Sequence, residues 1–209
     1  MIIAVDGPTA SGKGTIAKAL ADHFGLPVLD TGLLYRAVGY QTQLNHGDAD
    51  DAADALAACA FPASLLDDPA LRYETTGGLA SRVSVHPGVR AALFQRQVDF
   101  ADQPGGAVLD GRDIGTVIAP HADAKLFVTA TAAERAHRRH AEMRGRGVEV
   151  TYEAVLADIH ARDARDTGRA DAPLLRAADA MLLDTTAMDR DAAVAAAIAF
   201  VEERVRRPN

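Results

Sequence analysis

Five short apolar runs punctuate the chain. Each predicts a strand buried on both faces, because its residues are continuously apolar and do not alternate. They are Met1 to Val5, Leu26 to Leu29, Ala107 to Leu109, Lys125 to Thr129 and Met181 to Leu183. Between them the period changes to three and four residues. Ile16, Ala19, Leu20 and His23-Phe24 predict a helix over 15–24, stopped by Gly25 in the usual capping position. Helices are also predicted over 33–44, 87–100, 131–144, 152–166 and 191–206. The last has acidic residues early and arginines at its end, as the helix dipole favours. Asp48 to Cys59, acidic and alanine-rich, predicts a solvated helix. Ala63 to Ser84 is less regular. Its turn-like groups, Asp67-Asp68-Pro69 and Thr75-Thr76-Gly77-Gly78, predict a short hairpin.

Strands that alternate with helices predict an α/β fold, a parallel sheet covered on both faces. Ligands of such folds sit beyond the carboxyl ends of the strands. Four of the five predicted strands run into an aspartate there: Asp6, Asp30, Asp110 and Asp184. Polar chemistry is thus expected along one edge of the sheet.

Composition narrows the picture further. A length of 209 residues predicts one domain, and 48% hydrophobic content suffices for its core. With no Trp, aliphatic packing must fill the interior. The formal charge of −7 argues against a general binder of nucleic acid or of anionic membranes. Cys59 is the only cysteine, which excludes an internal disulfide and fits a reducing compartment. No basic leader precedes the first strand, and no apolar run approaches the roughly 20 residues needed to span a bilayer. A soluble, cytoplasmic protein is the expectation. The histidines show no ligand spacing, so no structural zinc site is expected.

The densest chemistry lies at Gly7-Pro8-Thr9-Ala10-Ser11-Gly12-Lys13-Gly14-Thr15, between the first strand and the first helix. In that context the glycines let successive backbone N–H groups turn inward on one anion, and the helix adds its positive end. Lys13 places a full charge where the outer phosphates of a nucleotide would lie. The usual Ser or Thr after the lysine is replaced by Gly14, and the hydroxyl comes one residue later, on Thr15. Asp110-Gly111-Arg112-Asp113 follows a strand, where such a loop needs a carboxylate to position Mg²⁺ directly or through water. Arg112 is suited to clamp a second phosphate. Asp30-Thr31-Gly32 with Tyr35-Arg36 ends another strand and suits an acceptor phosphate. Arg162, Arg165, Asp166 and Arg169 share one side of a helix if it continues that far. Arg135, Arg138 and Arg139 form a second set, and Gly145-Arg146-Gly147 lies between. Two arginine-bearing helices joined by a glycine-hinged loop predict a lid that closes over phosphates and excludes water.

Taken together, these motifs resemble the bacterial cytidylate kinases, members of the nucleoside monophosphate kinases. The Gly-Lys-Gly-Thr order is similar to the variant those kinases use. More specific are Asp110-Gly111-Arg112-Asp113-Ile114-Gly115-Thr116-Val117 and Glu134-Arg135-Ala136-His137-Arg138-Arg139. Val5-Asp6-Gly7-Pro8, Leu29-Asp30-Thr31-Gly32 and Arg162-Asp163-Ala164-Arg165-Asp166 also match. The resemblance implies a P-loop three-layer fold with a five-stranded parallel sheet. The core would comprise 1–36, 106–137 and 166–209, with an acceptor-binding insert at 37–105 and a helical lid at 138–165. It implies transfer of the γ-phosphoryl group of ATP to CMP or dCMP, with Mg²⁺, by a monomer. Gly7 to Thr15 would hold ATP, and Thr15 and Asp110 would serve the metal. Ser81, Arg90 and Asp113 would face cytosine, Arg162 and Asp166 the ribose. Thr31, Arg36, Arg112 and Arg169 would hold the acceptor phosphate, and Lys13, Arg112, Arg138, Arg139 and Arg165 the transferring group. One departure is that Ala63 to Ser84 is too short for the whole insert, with its small sheet, that the family carries. Other readings are a P-loop kinase acting on UMP, AMP or a small metabolite, and a nucleotide-dependent switch. The switch lacks support, since no Asn-Lys-x-Asp guanine motif occurs. A nucleic-acid-binding module ranks behind both.

Overall fold

The computed structural model describes residues 1–206; Arg207, Pro208 and Asn209, the end of the expected core segment, lie outside the described residues. Five strands form one sheet: β1 (Ile2–Asp6), β2 (Val28–Asp30), β3 (Ala107–Gly111), β4 (Ala124–Thr129) and β5 (Met181–Asp184). Their order across the sheet is β2-β3-β1-β4-β5. β1 pairs in parallel with β3 and β4, and β4 with β5. Ile3, Ala4 and Val5 have no exposed surface, as an uninterrupted apolar strand at the sheet centre requires. The register places Asp6 beside Gly111 on one side and Phe127 on the other, and Thr129 beside Asp184. The carboxyl ends therefore line up along one edge, with the loop after β1 at its middle.

Helices α1 (Lys13–Phe24) and α8 (Arg190–Arg206) pack against the sheet. Ile16 and Leu20 of α1 meet Ile3, Val5, Leu126, Val128 and Leu183, while Ala193, Ala197 and Val201 bring α8 into the same core. Small side chains on α8 let it approach closely, which is how an alanine-rich chain without Trp fills its interior. Among the described residues no helix is long and apolar enough to cross a membrane.

The chain divides into two compact units, Met1–Leu29 with Ala101–Asn209, and Asp30–Phe100. Besides the elements above, the first holds α6 (Ala132–Gly145) and α7 (Tyr152–Gly168). The second is helical throughout its described elements: α2 (Thr31–Leu44), α3 (Ala52–Ala57), α4 (Glu74–Val83) and most of α5 (Pro87–Ala101), with three short 3₁₀ turns before α4.

Two expectations fail in this second unit. Asp48 to Cys59 is not one helix. Asp51 caps α3 by accepting from the amides of Ala53 and Asp54, and Asp48 and Asp50 instead receive the Arg82 guanidinium at 2.6 Å. The hairpin expected over 63–84 is absent. Asp68 caps a 3₁₀ turn at Pro69–Arg72, and Thr75-Thr76-Gly77-Gly78 lies inside α4. Its glycines mark a place where tertiary packing outweighs turn propensity. Gly77 and Thr76 are buried, and α2 meets α4 at Gly39, where a Cβ would stand 2.7 Å from that of Leu79.

Candidate active site

Residues 7–12 join the end of β1 to the start of α1 through three unusual backbone positions. Gly7 lies so near Val128 that any Cβ would overlap the Val128 carbonyl oxygen. Ala10 is left-handed at φ 58°, and Gly12 at φ 90°. Ser11 is fully buried, and its hydroxyl has no partner within the protein. A buried, unpaired hydroxyl in a glycine-bearing loop at a helix N-terminus suits a polar ligand such as phosphate. The loop is held from behind. Thr185, just past β5, donates its hydroxyl to the Ser11 carbonyl at 3.2 Å, and Arg135 donates to the Thr9 carbonyl at 3.2 Å.

On the neighbouring strand β3, Asp110 is buried and directs its Oδ2 at Gly14: a Cβ on residue 14 would sit 3.1 Å from that oxygen. A glycine after Lys13 thus leaves room for a carboxylate against the first turn of α1. Thr15 is the next residue; it is exposed and lines a cavity with Gly12 and Arg138. Among the described residues no group of three or more His, Cys, Asp or Glu gathers as a metal cage. This donor set suits Mg²⁺, which keeps water and phosphate oxygens among its ligands.

Beyond β3 the chain makes a single π turn, Ile114–Ile118. The Asp6 carboxylate fixes its start by accepting from the amides of Ile114 and Gly115, both at 2.8 Å. Burial pushes the Asp6 carboxyl up to about 6, with the Asp113 charge adding to it, although the two amides and Arg112 oppose the rise. Arg112 donates to Asp166 on α7 at 2.7 Å. Burial raises the Asp166 carboxyl, but the charges of Arg112, Arg169 and Lys13 outweigh it and leave Asp166 below the ordinary carboxylate range. Lys13, Arg112, Asp166 and Arg169 therefore share one local field.

The arginines of α6 and α7 divide by partner. Arg138 donates to the Thr185 hydroxyl at 2.9 Å and carbonyl at 2.6 Å, and to Glu134 at 2.9 Å. It lines a cavity of about 360 Å³ with Gly12, Thr15, Thr185 and Met188. Arg139 pairs with Glu142, and Arg162 with Asp158. Arg165 is half-buried. Arg162 and Asp166 are buried on α7; Arg169 is buried too, but α7 ends at Gly168 and Arg169 is its extended cap. The helix thus stops one residue short of the expected four-residue face.

Within the unit Asp30–Phe100, Thr31 is buried at the first position of α2. Arg36 donates to the carbonyls of Leu71 and Tyr73 at 3.0 and 3.1 Å. Arg90 is buried, with its guanidinium 6.0 Å from the Tyr35 ring centre and 3.4 Å from the Tyr35 hydroxyl. Ser81 is half-buried on α4.

Comparison with known proteins fits this arrangement. The cytidylate kinase family model matches residues 3–203. The cytidylate kinase of Xanthobacter autotrophicus is 59% identical over 98% of this chain and 98% of its own length. That of Caulobacter vibrioides is 56% identical over 97% and 95%. The chain belongs to the cytidylate kinase family. An uncharacterized protein of Eubacterium ventriosum aligns with 97% of the chain and 98% of its own, with a TM-score of 0.56 at 15% identity, a likeness of fold alone.

For this member of the cytidylate kinase family, the structure gathers much of the expected set within one unit. Gly7 to Thr15, Asp110, Arg112, Asp113, Arg138, Arg139, Arg162, Arg165, Asp166 and Arg169 all belong to Met1–Leu29 with Ala101–Asn209, while Thr31, Arg36, Ser81 and Arg90 belong to Asp30–Phe100. Sequence reasoning missed the supports behind the kinase loop. Thr185 was visible only as part of a strand end, and Arg135 only as one arginine among three. No spacing rule distinguishes an arginine that meets a carbonyl from one that meets a phosphate.

Proposed function

We propose that this cytidylate kinase transfers the γ-phosphoryl group of ATP to CMP or dCMP with Mg²⁺. The observation that carries the reading is the shared field of Lys13, Arg112, Asp166 and Arg169 beside a loop whose buried Ser11 hydroxyl lacks a partner. The backbone N–H groups of the 7–15 loop, Pro8 excepted, and the Lys13 ammonium hold the donor phosphates. The cavity lined by Gly12, Thr15, Arg138 and Thr185 takes the donor nucleoside, since it opens beside the same loop. Thr15 and Asp110 hold Mg²⁺, in part through water, and the ion would offset charge on the phosphate oxygens. Arg112, Arg139 and Arg165 face the transferring group or its neighbours, with Arg138 at the donor side.

Thr31, Arg36, Arg112 and Arg169 serve the acceptor phosphate, Arg162 and Asp166 the ribose, and Ser81, Arg90 and Asp113 the base. A carboxylate can accept from the cytosine amine and repels the carbonyl that uracil carries in its place. No strong base is required, because the acceptor is already an oxyanion. In-line positioning and charge compensation supply most of the catalysis. Gly145-Arg146-Gly147 hinges the outer turns of α6 and α7 as a lid, in a cytoplasmic enzyme. The test is ADP release from ATP–Mg²⁺ with CMP, dCMP, UMP, AMP or no acceptor, repeated after chelation of the metal. CMP and dCMP should stimulate strongly, and chelation should abolish the effect. Equal stimulation by UMP or AMP would overturn the base assignment, and full activity with chelator the metal assignment.

A further inference from the structure

Arg135 is an arginine of α6 with almost no exposed side chain, 5%. Four of its five N–H hydrogens are spent inside the protein. Nε donates to the Ala130 carbonyl at 2.9 Å, and Nη1 donates to Asp163 Oδ1 at 3.0 Å and to the Thr9 carbonyl at 3.2 Å. Nη2 donates to Asp163 Oδ2 at 2.6 Å. The pair with Asp163 is bidentate, which fixes the guanidinium plane as well as its charge. Such an arginine does not reach for phosphate. Its contact with Thr9 nevertheless falls within the phosphate loop.

The Thr9 carbonyl and the Ala10 N–H belong to one peptide group. No peptide bond of the described chain is cis, so the two point in opposite directions. Pinning the carbonyl toward Arg135 turns the Ala10 N–H the other way, away from α6. Ala10 holds the left-handed conformation without being glycine, a state that persists only when its surroundings impose it. Its methyl packs on the cluster of Ala136, Val155 and Ile159 between α6 and α7, on the same side as Arg135. Side chain and carbonyl are thus both engaged with the α6–α7 pair.

We propose that Arg135, fixed by Asp163, is a positioning residue for the donor phosphates: it sets the Thr9–Ala10 peptide so that the loop presents the Ala10 amide to the anion. This rests on the reading of Gly7–Thr15 as the donor loop. Asp163 lies between Arg162 and Asp166 on α7, so the same ion pair joins the donor loop to the helix that carries acceptor-side groups. A guanidinium can hold a carboxylate and a carbonyl in one plane, whereas the point charge of lysine cannot.

The experiment is ADP binding by calorimetry, without acceptor, together with thermal unfolding, for the wild type and for Arg135→Lys, Asp163→Asn, the double variant and Lys13→Met. Asp163→Asn keeps the shape of the pair and should fold even if Arg135→Lys does not. We expect ADP affinity to fall about tenfold in Asp163→Asn and at least as far in Arg135→Lys, the loss expected when one hydrogen bond to a charged phosphate is weakened. The double variant should lose little beyond the worse single one, because the pair acts as a unit. A purely structural staple would lower the melting temperature and leave the affinity of the folded fraction unchanged. That result, with Lys13→Met still impaired, overturns this inference alone. Unchanged affinity in Lys13→Met sinks the donor-loop reading and this inference with it.

Discussion

Gly14 and Asp6 show how single residues shape the edge of the sheet. Gly14 departs from the common phosphate-loop pattern, and the structure supplies a reason: a Cβ there would press on the Asp110 carboxylate at 3.1 Å. Asp6 is a different case. It sits under the loop and holds the start of the π turn, yet its carboxyl is pushed up to about 6 by burial. The folded chain therefore binds this proton more tightly than the unfolded chain between pH 4 and 6. Stability contributed by the group is present at the low end of that window and is lost as pH rises through it, by about 3 kcal/mol at most. Asp6→Asn cannot titrate. Urea unfolding at pH 4 and pH 7.5 should show the variant gaining on the wild type as pH rises, by up to that amount. A stability difference that does not change with pH would refute the account. The conserving geometry of the amide also matters, since Asn offers one acceptor oxygen where two amides now donate.

Elements were legible in proportion to their period. The five strands and the helices of the sheet-bearing unit lie close to where uninterrupted runs and three-to-four spacing place them, but burial on both faces holds only for the inner strands: β1 and β3 are buried almost throughout, whereas β2 and β5, at the sheet margins, leave Val28 and Leu182 exposed. The segment 48–84 was misread for a physical reason. Glycines and threonines usually mark turns, but here Thr76 and Gly77 are buried within α4, and the close crossing is made by Gly39 of α2 against Leu79. That explanation is testable at Gly39. Gly39→Ala should force α2 and α4 apart and destabilise the protein by roughly 1–3 kcal/mol, as overpacking does, measured by chemical denaturation. A neutral effect would show that the crossing yields easily. The arginine helices were legible as a group and not as individuals. Arg135, Arg138 and Arg139 share a helix and a charge, yet one meets backbone, one a strand end and one a neighbouring glutamate. Only the fold separates these fates. In the proposed lid, α6 and α7 are joined through Arg135–Asp163 and, at the first residue of α7, through the stacked rings of His137 and Tyr152, 4.4 Å between centroids. Opening would then fall to the turns near Gly147, which is left-handed at φ 77°.

For the molecule as a whole, the candidate chemistry was readable because α/β sheets collect their functional groups at strand ends, and four of these ends carry aspartate. What was not readable was the support beneath those groups, where side chains bind carbonyls and leave no motif. We expect the working form to be a monomer. Light scattering on the purified protein should return a mass near 22.0 kDa, and a stable doubled mass would refute this.

The strand order has one more consequence. The unit Asp30–Phe100 is inserted between β2 and β3, which lie side by side in the sheet, β2 at its margin. The excursion therefore begins and ends on adjacent rails and interrupts no pairing around β1. Its length and internal design can drift without disturbing the strand that carries the donor loop. On the proposed reading of this unit as the acceptor-binding part, substrate choice in this architecture can evolve separately from the machinery that handles the triphosphate.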